Sequence, residues 1–370
     1  MVRWRRFTEV TSIAAGVTAA AAVGAAVAAE KVAVGRIRLR PDPAAAEPLG
    51  QLRGRELTVL ADDGVALHTE IDGPDDAPVT VVFSHGYTLN QGSWHYQRRD
   101  LGAPGSGCRL VFWDQRSHGR SGRSQRAREN IDQLGHDLHA VIRAVAPGRT
   151  RVVLVGHSMG GMTIMALADQ RPELFGAKVV GVALVATSAS GLSDMTLGLP
   201  GPLGAMARRV APRAMRGAGK GRRASVVERA RRAGGDLAFL GTRHIAFGDP
   251  NTSPTITDFL EQMIRATPIE VVSEFFSSLL IHDKSVCLPT LANVPTVVIA
   301  GGKDRLTPWQ RSEEIVAAVP GAELVLDPGA GHVIMLERPD VVTDQLRRLI
   351  DRATMRPRGR RSASSRQRSA

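Results

Sequence analysis

Short runs of apolar, largely β-branched residues recur along the chain from about residue 57, and they predict a sheet. They cover residues 57–60, 65–71, 79–83, 109–113, 151–155, 179–185, 296–300 and 323–326. The later runs lack the apolar–polar alternation of a strand with one wet face, so they suit strands of a parallel sheet buried on both sides. Asp62, Asp63 and Gly64 between the first two runs read as a hairpin turn. Helical spacing of apolar residues fills several gaps, over 131–145, 162–171 and 341–350. The alternation predicts an α/β domain over residues 56–352, with an eight-stranded, mostly parallel sheet and helices on both faces. The pattern stops after Val185 and resumes at Val294, so a helical, loop-rich cap is expected over about 189–290.

Ahead of the first strand the pattern changes. Arg3, Arg5 and Arg6 precede twenty uncharged residues, 10–29, half of them alanine. That length suits a membrane span, and the basic flank with its A-V-A ending also resembles a secretory signal. The run is longer than a usual signal core, which favours an uncleaved anchor over residues 1–30 and a membrane-anchored or exported protein. Lys31, Arg36, Arg38 and Arg40 follow the run, so flanking charge does not orient it. Pro41 and Pro48 mark residues 31–55 as a linker.

Charge adds two features. The formal net charge is +12, and it is localised. Residues 201–235 hold ten Arg or Lys against the single acid Glu228, and residues 356–370 hold six Arg and no acid. The rest is near neutral, and residues 353–370 are expected as a basic disordered tail. Two such patches suggest contact with an anionic membrane surface. Zinc-finger spacing, a P-loop and an RNP-like aromatic run are all missing, so nucleic acid is not implied. The histidines and the two cysteines, Cys108 and Cys287, form no metal-ligand spacing, and Cys108, just before an apolar run, reads as a buried free thiol. No metal or cofactor is expected.

Candidate chemistry centres on V-L-V-G-H-S-M-G-G, residues 153–161. Ser158 would sit at a sharp turn between a buried strand and a helix, and Gly156 and Gly160 would supply the room such a turn needs. The helix N-terminus would aim its amides where oxyanion charge develops. A serine hydroxyl needs a base, and His332 after the last strand can supply one. Asp304, just after the strand at 296–300, can orient that base, with Asp283 as the fallback acid. All three candidates follow the carboxyl ends of strands, the edge at which parallel sheets bind ligands. Two backbone donors are expected for the oxyanion, the amide of Met159 and that of Tyr87, where Gly86 lets the chain turn inward. His85 is assigned no chemistry.

These motifs resemble the α/β-hydrolase superfamily, in its serine esterase, lipase and cofactor-free haloperoxidase-like branch. The resemblance runs from about Leu57 to Ile350 through H-G-Y at 85–87, W-D-Q-R-S-H-G-R-S at 113–121, G-H-S-M-G, G-G-K-D at 301–304 and G-A-G-H at 329–332. The family often has D-x-R-G-x-G-x-S in the second motif, and here Ser117 and His118 replace its first Gly-x. The resemblance implies a cap that covers the site and selects substrate. Relatives that cleave haloalkanes or epoxides attack with a carboxylate, and Ser158 occupies that position. The expected activity is hydrolysis of a carboxylic ester, apolar or amphiphilic and lipid-like, through an acyl-enzyme. An acyltransferase or a C–C bond hydrolase would use the same triad, and a non-enzymatic binding protein would normally have lost part of it. Acyl chain length, leaving group and oligomeric state are not encoded in these motifs.

Overall fold

Hydrogen bonding joins the apolar runs into a sheet in a computed structural model, which describes residues 30–102, 107–192, 206, 209–210, 213–214, 217–219, 224–229 and 235–354. The strands are β1 (Arg55–Leu60), β2 (Ala66–Asp72), β3 (Val79–Ser84), β4 (Arg109–Trp113), β5 (Arg151–His157), β6 (Val179–Val185), β7 (Thr296–Gly301) and β8 (Glu323–Asp327). Their order is β1-β2-β4-β3-β5-β6-β7-β8. β1 and β2 form an antiparallel hairpin, β2 also runs antiparallel to β4, and every later pairing is parallel. The hairpin turns through Gly64 at φ +82, in the left-handed region that glycine enters without strain.

Among the described residues, the helices of seven or more residues outside the cap are α1 (residues 30–38), α2 (His95–Leu101), α3 (Ile131–Val145), α4 (Met159–Gln170), α8 (Trp309–Ala318) and α9 (Pro339–Thr354), and the cap includes α5 (Gly235–Ala246), α6 (Pro254–Ala266) and α7 (Ile269–Leu280). Alternate residues of the parallel strands feed two apolar layers. Val81, Phe83, Val153 and Val155 point to the layer holding Trp94, Leu346 and Leu349, whereas Val82, Val152 and Leu154 point to Leu138, Ile164 and Ile315. Burial on both faces explains why these strands read as continuous apolar runs. β3 and β5 are neighbours, with β4 beyond one and β6 beyond the other. Their connections therefore leave in opposite directions and open a crevice at their carboxyl ends.

The loop after β4 is pinned by a buried charge cluster. Arg116 is fully buried, and its guanidinium donates to both carboxylate oxygens of Asp137 at 2.6 Å and to Asp63 at 2.9 Å. Removing one partner of such a group strands a buried charge and costs about 3–5 kcal/mol. Ser117, in the place where the family often has glycine, keeps the glycine conformation at φ +62.

Residues 31–55 differ from the linker expected of them. They form α1 and a segment of successive turns packed on the cap and on the sheet edge, with Val34 and Ala44 buried. Prolines indicated a break in helix but carried no information on distant partners. Cys108 is half-buried and Cys287 buried, both as free thiols. The apolar run at 10–29, most of the basic stretch at 201–235 and the tail from 355 lie outside the described residues. Among the described residues no helix is long and apolar enough to cross a membrane.

Candidate active site

β5 ends at His157 and α4 begins at Met159, so Ser158 alone makes the turn, at φ +51 and ψ −115. A left-handed serine is strained, and here main-chain bonds hold it. The Ser158 amide donates to the Val185 carbonyl at 2.9 Å, and the Thr187 hydroxyl donates to the Ser158 carbonyl at 2.7 Å. A side chain at Gly156 would lie 2.4 Å from the Gly160 carbonyl oxygen, and one at Gly160 would lie 2.2 Å from the Ser84 carbonyl oxygen. Both glycines are therefore required by close backbone approach.

His332 follows β8, and its Nδ1 lies 2.8 Å from Asp304 Oδ2. Asp304 also accepts from the amides of Leu306 and Thr307 and from the Thr307 hydroxyl, each at 2.8 Å. Burial opposes ionisation of Asp304, but the charge of His332 and these hydrogen bonds outweigh it and hold the carboxyl below its usual range. Thr307 Oγ1 also lies 3.3 Å from His332 Nδ1, so Thr307 braces both partners. With Nδ1 turned to Asp304, Nε2 is the nitrogen left for the cavity side. Asp283, the fallback acid, is exposed and accepts from the Ser285 amide instead.

His157 stands between Ser158 and the His332 loop. Its Nε2 donates to the His332 carbonyl at 3.0 Å, and the two rings lie 4.9 Å apart. Burial first, and then the neighbouring His332, push His157 down to about 3, so it stays neutral beside His332. Gly86 seats the loop after β3 against this turn, where a side chain would lie 2.5 Å from His157 Nδ1 and 3.4 Å from the Ser158 Cβ. Tyr87 and Ser158 thus share one cavity wall. The Tyr87 hydroxyl donates to the Val272 carbonyl of α7, joining the loop to the cap. At the start of α4 the Ser158 side chain makes no capping bond, and the Ser158 carbonyl accepts from the amides of Gly161 at 2.9 Å and Met162 at 3.2 Å.

His85 is a fully buried scaffold residue. Its Nδ1 donates to the Gly86 carbonyl at 2.8 Å and its Nε2 accepts from the Gln115 amide at 2.9 Å. Gln115 in turn donates to the His85 carbonyl and accepts from Thr163 of α4, both at 2.6 Å. This chain of bonds ties the loop after β3 to the helix that follows Ser158.

Ser158, His157 and His332 open on a cavity of about 270 Å³. Its other walls are largely aliphatic or aromatic, with Met162 from α4, Leu260 and Ile264 from α6, and Phe276 and Leu279 from α7. No Asp, Glu, Lys or Arg lines it.

A second link to the cap runs through Ser117. Its hydroxyl donates to Glu129 and accepts from the Ser124 amide at 2.9 Å, while Arg123 bridges Glu129 and Glu274 of α7. Burial pushes the Glu129 carboxyl up to about 7, against the bond from Ser117 and the charge of Arg123. The folded state therefore holds this proton more tightly than the unfolded chain. The stability Glu129 contributes is full below the usual glutamate range and is lost as pH rises through about 7. Between pH 4.5 and about 8, the melting temperature of the wild type should fall by several degrees relative to Glu129→Gln. A difference constant across that range would show that Glu129 titrates as an ordinary carboxylate.

Among the described residues, Glu56, His68 and Glu70 bring possible metal-ligand atoms within 4.8 Å of one another. Arg120 lies 2.6 Å from Glu56 and Arg98 lies 2.8 Å from Glu70, so arginines already neutralise both carboxylates.

Sequence reasoning did not assign roles to Thr307 and His157. His157 lies in G-H-S-M-G and Thr307 lies three residues after Asp304, yet the contact of each with His332 exists only in three dimensions.

The family model for the alpha/beta hydrolase family matches residues 81–345, and the chain belongs to that family. It is 30% identical over 148 residues to a monoacylglycerol lipase of Mycolicibacterium smegmatis, over 39% of this chain and 51% of the relative. The chain thus spans about half the length of that relative. It is 26% identical over 265 residues to the AB hydrolase superfamily protein YisY of Bacillus subtilis, over 71% of this chain and 88% of that protein. Among solved structures, a thermophilic esterase from Thermogutta terrifontis superposes with a TM-score of 0.62 at 22% identity, over 81% of this chain and 99% of that one. At that identity the likeness is one of fold.

Proposed function

We propose that this hydrolase-family chain cleaves uncharged carboxylic esters with an apolar acyl group, through an acyl-enzyme on Ser158. The observation that carries the reading is that Ser158 and the Asp304-paired His332 open together on a cavity lined by no Asp, Glu, Lys or Arg. Similarity to a protein named a monoacylglycerol lipase is in keeping with it.

Ser158 Oγ attacks the acyl carbon while His332 Nε2 takes its proton. The carbonyl electrons move onto oxygen, which the amides of Met159 and Tyr87 receive. As the tetrahedral intermediate collapses, the bond to the alcohol breaks and His332 returns the proton to the leaving oxygen. Water then repeats the sequence and releases the acid. Asp304 keeps His332 in the tautomer with its proton on Nδ1, so that Nε2 can accept.

Cavity size suggests the acyl length. An apolar cavity of about 150 Å³ holds a benzene ring, so the 270 Å³ here suits an acyl chain of roughly eight to ten carbons. Each buried methylene contributes about 0.8 kcal/mol, nearly fourfold in affinity. Across p-nitrophenyl esters from acetyl to palmitoyl, kcat/KM should peak near eight to ten carbons, at least about tenfold above acetyl. A profile that falls steadily from acetyl would overturn the apolar-acyl reading.

A further inference from the structure

The segment ahead of the family match reaches from the cap to the sheet edge. From α1, Arg38 lies 3.2 Å from Asp258 of α6, and its guanidinium sits 5.2 Å over the Phe239 ring of α5. Further on, Glu47 accepts from His95 at 2.7 Å and from Arg99 at 2.8 Å, both on α2. The Gly54 amide donates to Glu70 of β2 at 2.9 Å. One stretch of chain thus fastens cap helices to the body of the domain.

Asp42 stands at the centre of this stretch. α6 begins with Ser253 as its N-cap and Pro254 in its first turn. Proline has no amide to satisfy, and the Ser253 hydroxyl accepts from the Ile256 amide at 3.2 Å. That leaves the Thr255 amide, which donates to Asp42 Oδ2 at 3.1 Å, with the Thr255 hydroxyl donating to the same oxygen at 2.6 Å. Ser253 donates its own proton to Asp42 Oδ1. A carboxylate from 213 residues earlier thus completes the cap of α6 and places negative charge at its positive end. Two faces of α6 have different tasks. Leu260 and Ile264 wall the cavity at Ser158, while Phe259 lies against Gly50 so closely that a side chain there would come within 2.6 Å of the ring.

We propose that residues 30–55 are a strap that sets the position of α6, and that Asp42 is a positioning residue for acyl-chain specificity. The inference rests on the ester-hydrolase reading of the cavity. Without the Asp42 carboxylate the first turn of α6 loses two acceptors, and the wall made by Leu260 and Ile264 shifts. Long acyl chains reach that wall, and short ones stay beside Ser158.

The test uses the full chain and two alkyl fluorophosphonates, ethyl and octyl, which phosphonylate an activated serine with loss of fluoride. In the wild type the octyl probe should label Ser158 faster. In Asp42→Ala the octyl-to-ethyl ratio of labelling rates should fall about tenfold, the equivalent of one to two methylenes of lost contact, with the ethyl rate within about twofold of wild type. Arg38→Met, which removes the pair with Asp258, should move the ratio in the same direction by less. If Asp42→Ala does not fold by circular dichroism, Thr255→Val removes one donor to the carboxylate and reads the same ratio. An unchanged ratio in a folded variant, or an equal loss with both probes, overturns the strap. Failure of both probes to label the wild type would instead overturn the serine-hydrolase reading, and the strap's role with it.

Discussion

Ser158→Ala should lower turnover of the best ester by about 10⁴ to 10⁶, with the melting temperature nearly unchanged. The size of the effect follows from chemistry. Alanine offers no oxygen to form the acyl-enzyme, and an ester bond then relies on water and the oxyanion donors alone. The small structural effect follows from the turn. The bonds that hold residue 158 at φ +51 run through its main-chain amide and carbonyl, to Val185 and from Thr187 and Gly161. Alanine keeps all of them. Initial rates on the purified variant, with circular dichroism on the same sample, check both halves. Retention of more than a tenth of the wild-type rate would remove Ser158 from the nucleophile's role.

Asp304→Asn should lower kcat by about 10⁴, with substrate affinity little changed. Four donors converge on the carboxylate, from Leu306, the amide and hydroxyl of Thr307, and His332. Asparagine keeps one oxygen and places an NH₂ group against the remaining donors. If that group faces His332, Nδ1 must accept, the ring proton moves to Nε2, and the base can no longer take a proton from Ser158. If the amide flips, its NH₂ opposes the amides of Leu306 and Thr307. Asp283→Asn is the control, because Asp283 is exposed and bonded to the Ser285 amide. Normal turnover in Asp304→Asn together with loss in Asp283→Asn would transfer the orienting role.

Much of the sheet was legible because its signal is local. A strand buried on both faces is apolar at most positions, and β3, β5 and β7 are buried along nearly their whole length. The turn at Ser158 was legible for a similar reason: Gly156 and Gly160 each lie within two residues of it, and both are required by backbone approach. The change from Gly to Ser at residue 117 was visible as a departure from the family pattern, but its meaning was not. Ser117 keeps the left-handed conformation, and its hydroxyl joins Glu129 and, through Arg123, the cap.

By itself the sequence determined the α/β class, the strand positions and the chain order of Ser158, Asp304 and His332, since periodicity and turn chemistry act over a few residues. Tertiary structure decided what those residues meet. Proximity of His157 to His332 spans 175 residues, and the cap that Asp42 provides for α6 spans 213. The shape of the cavity depends on α6 and α7 folding back over the strand ends. Pairings at such separation follow from the packing of the whole chain and leave no periodic mark, which is why residues 31–55 read as a linker and fold as a strap.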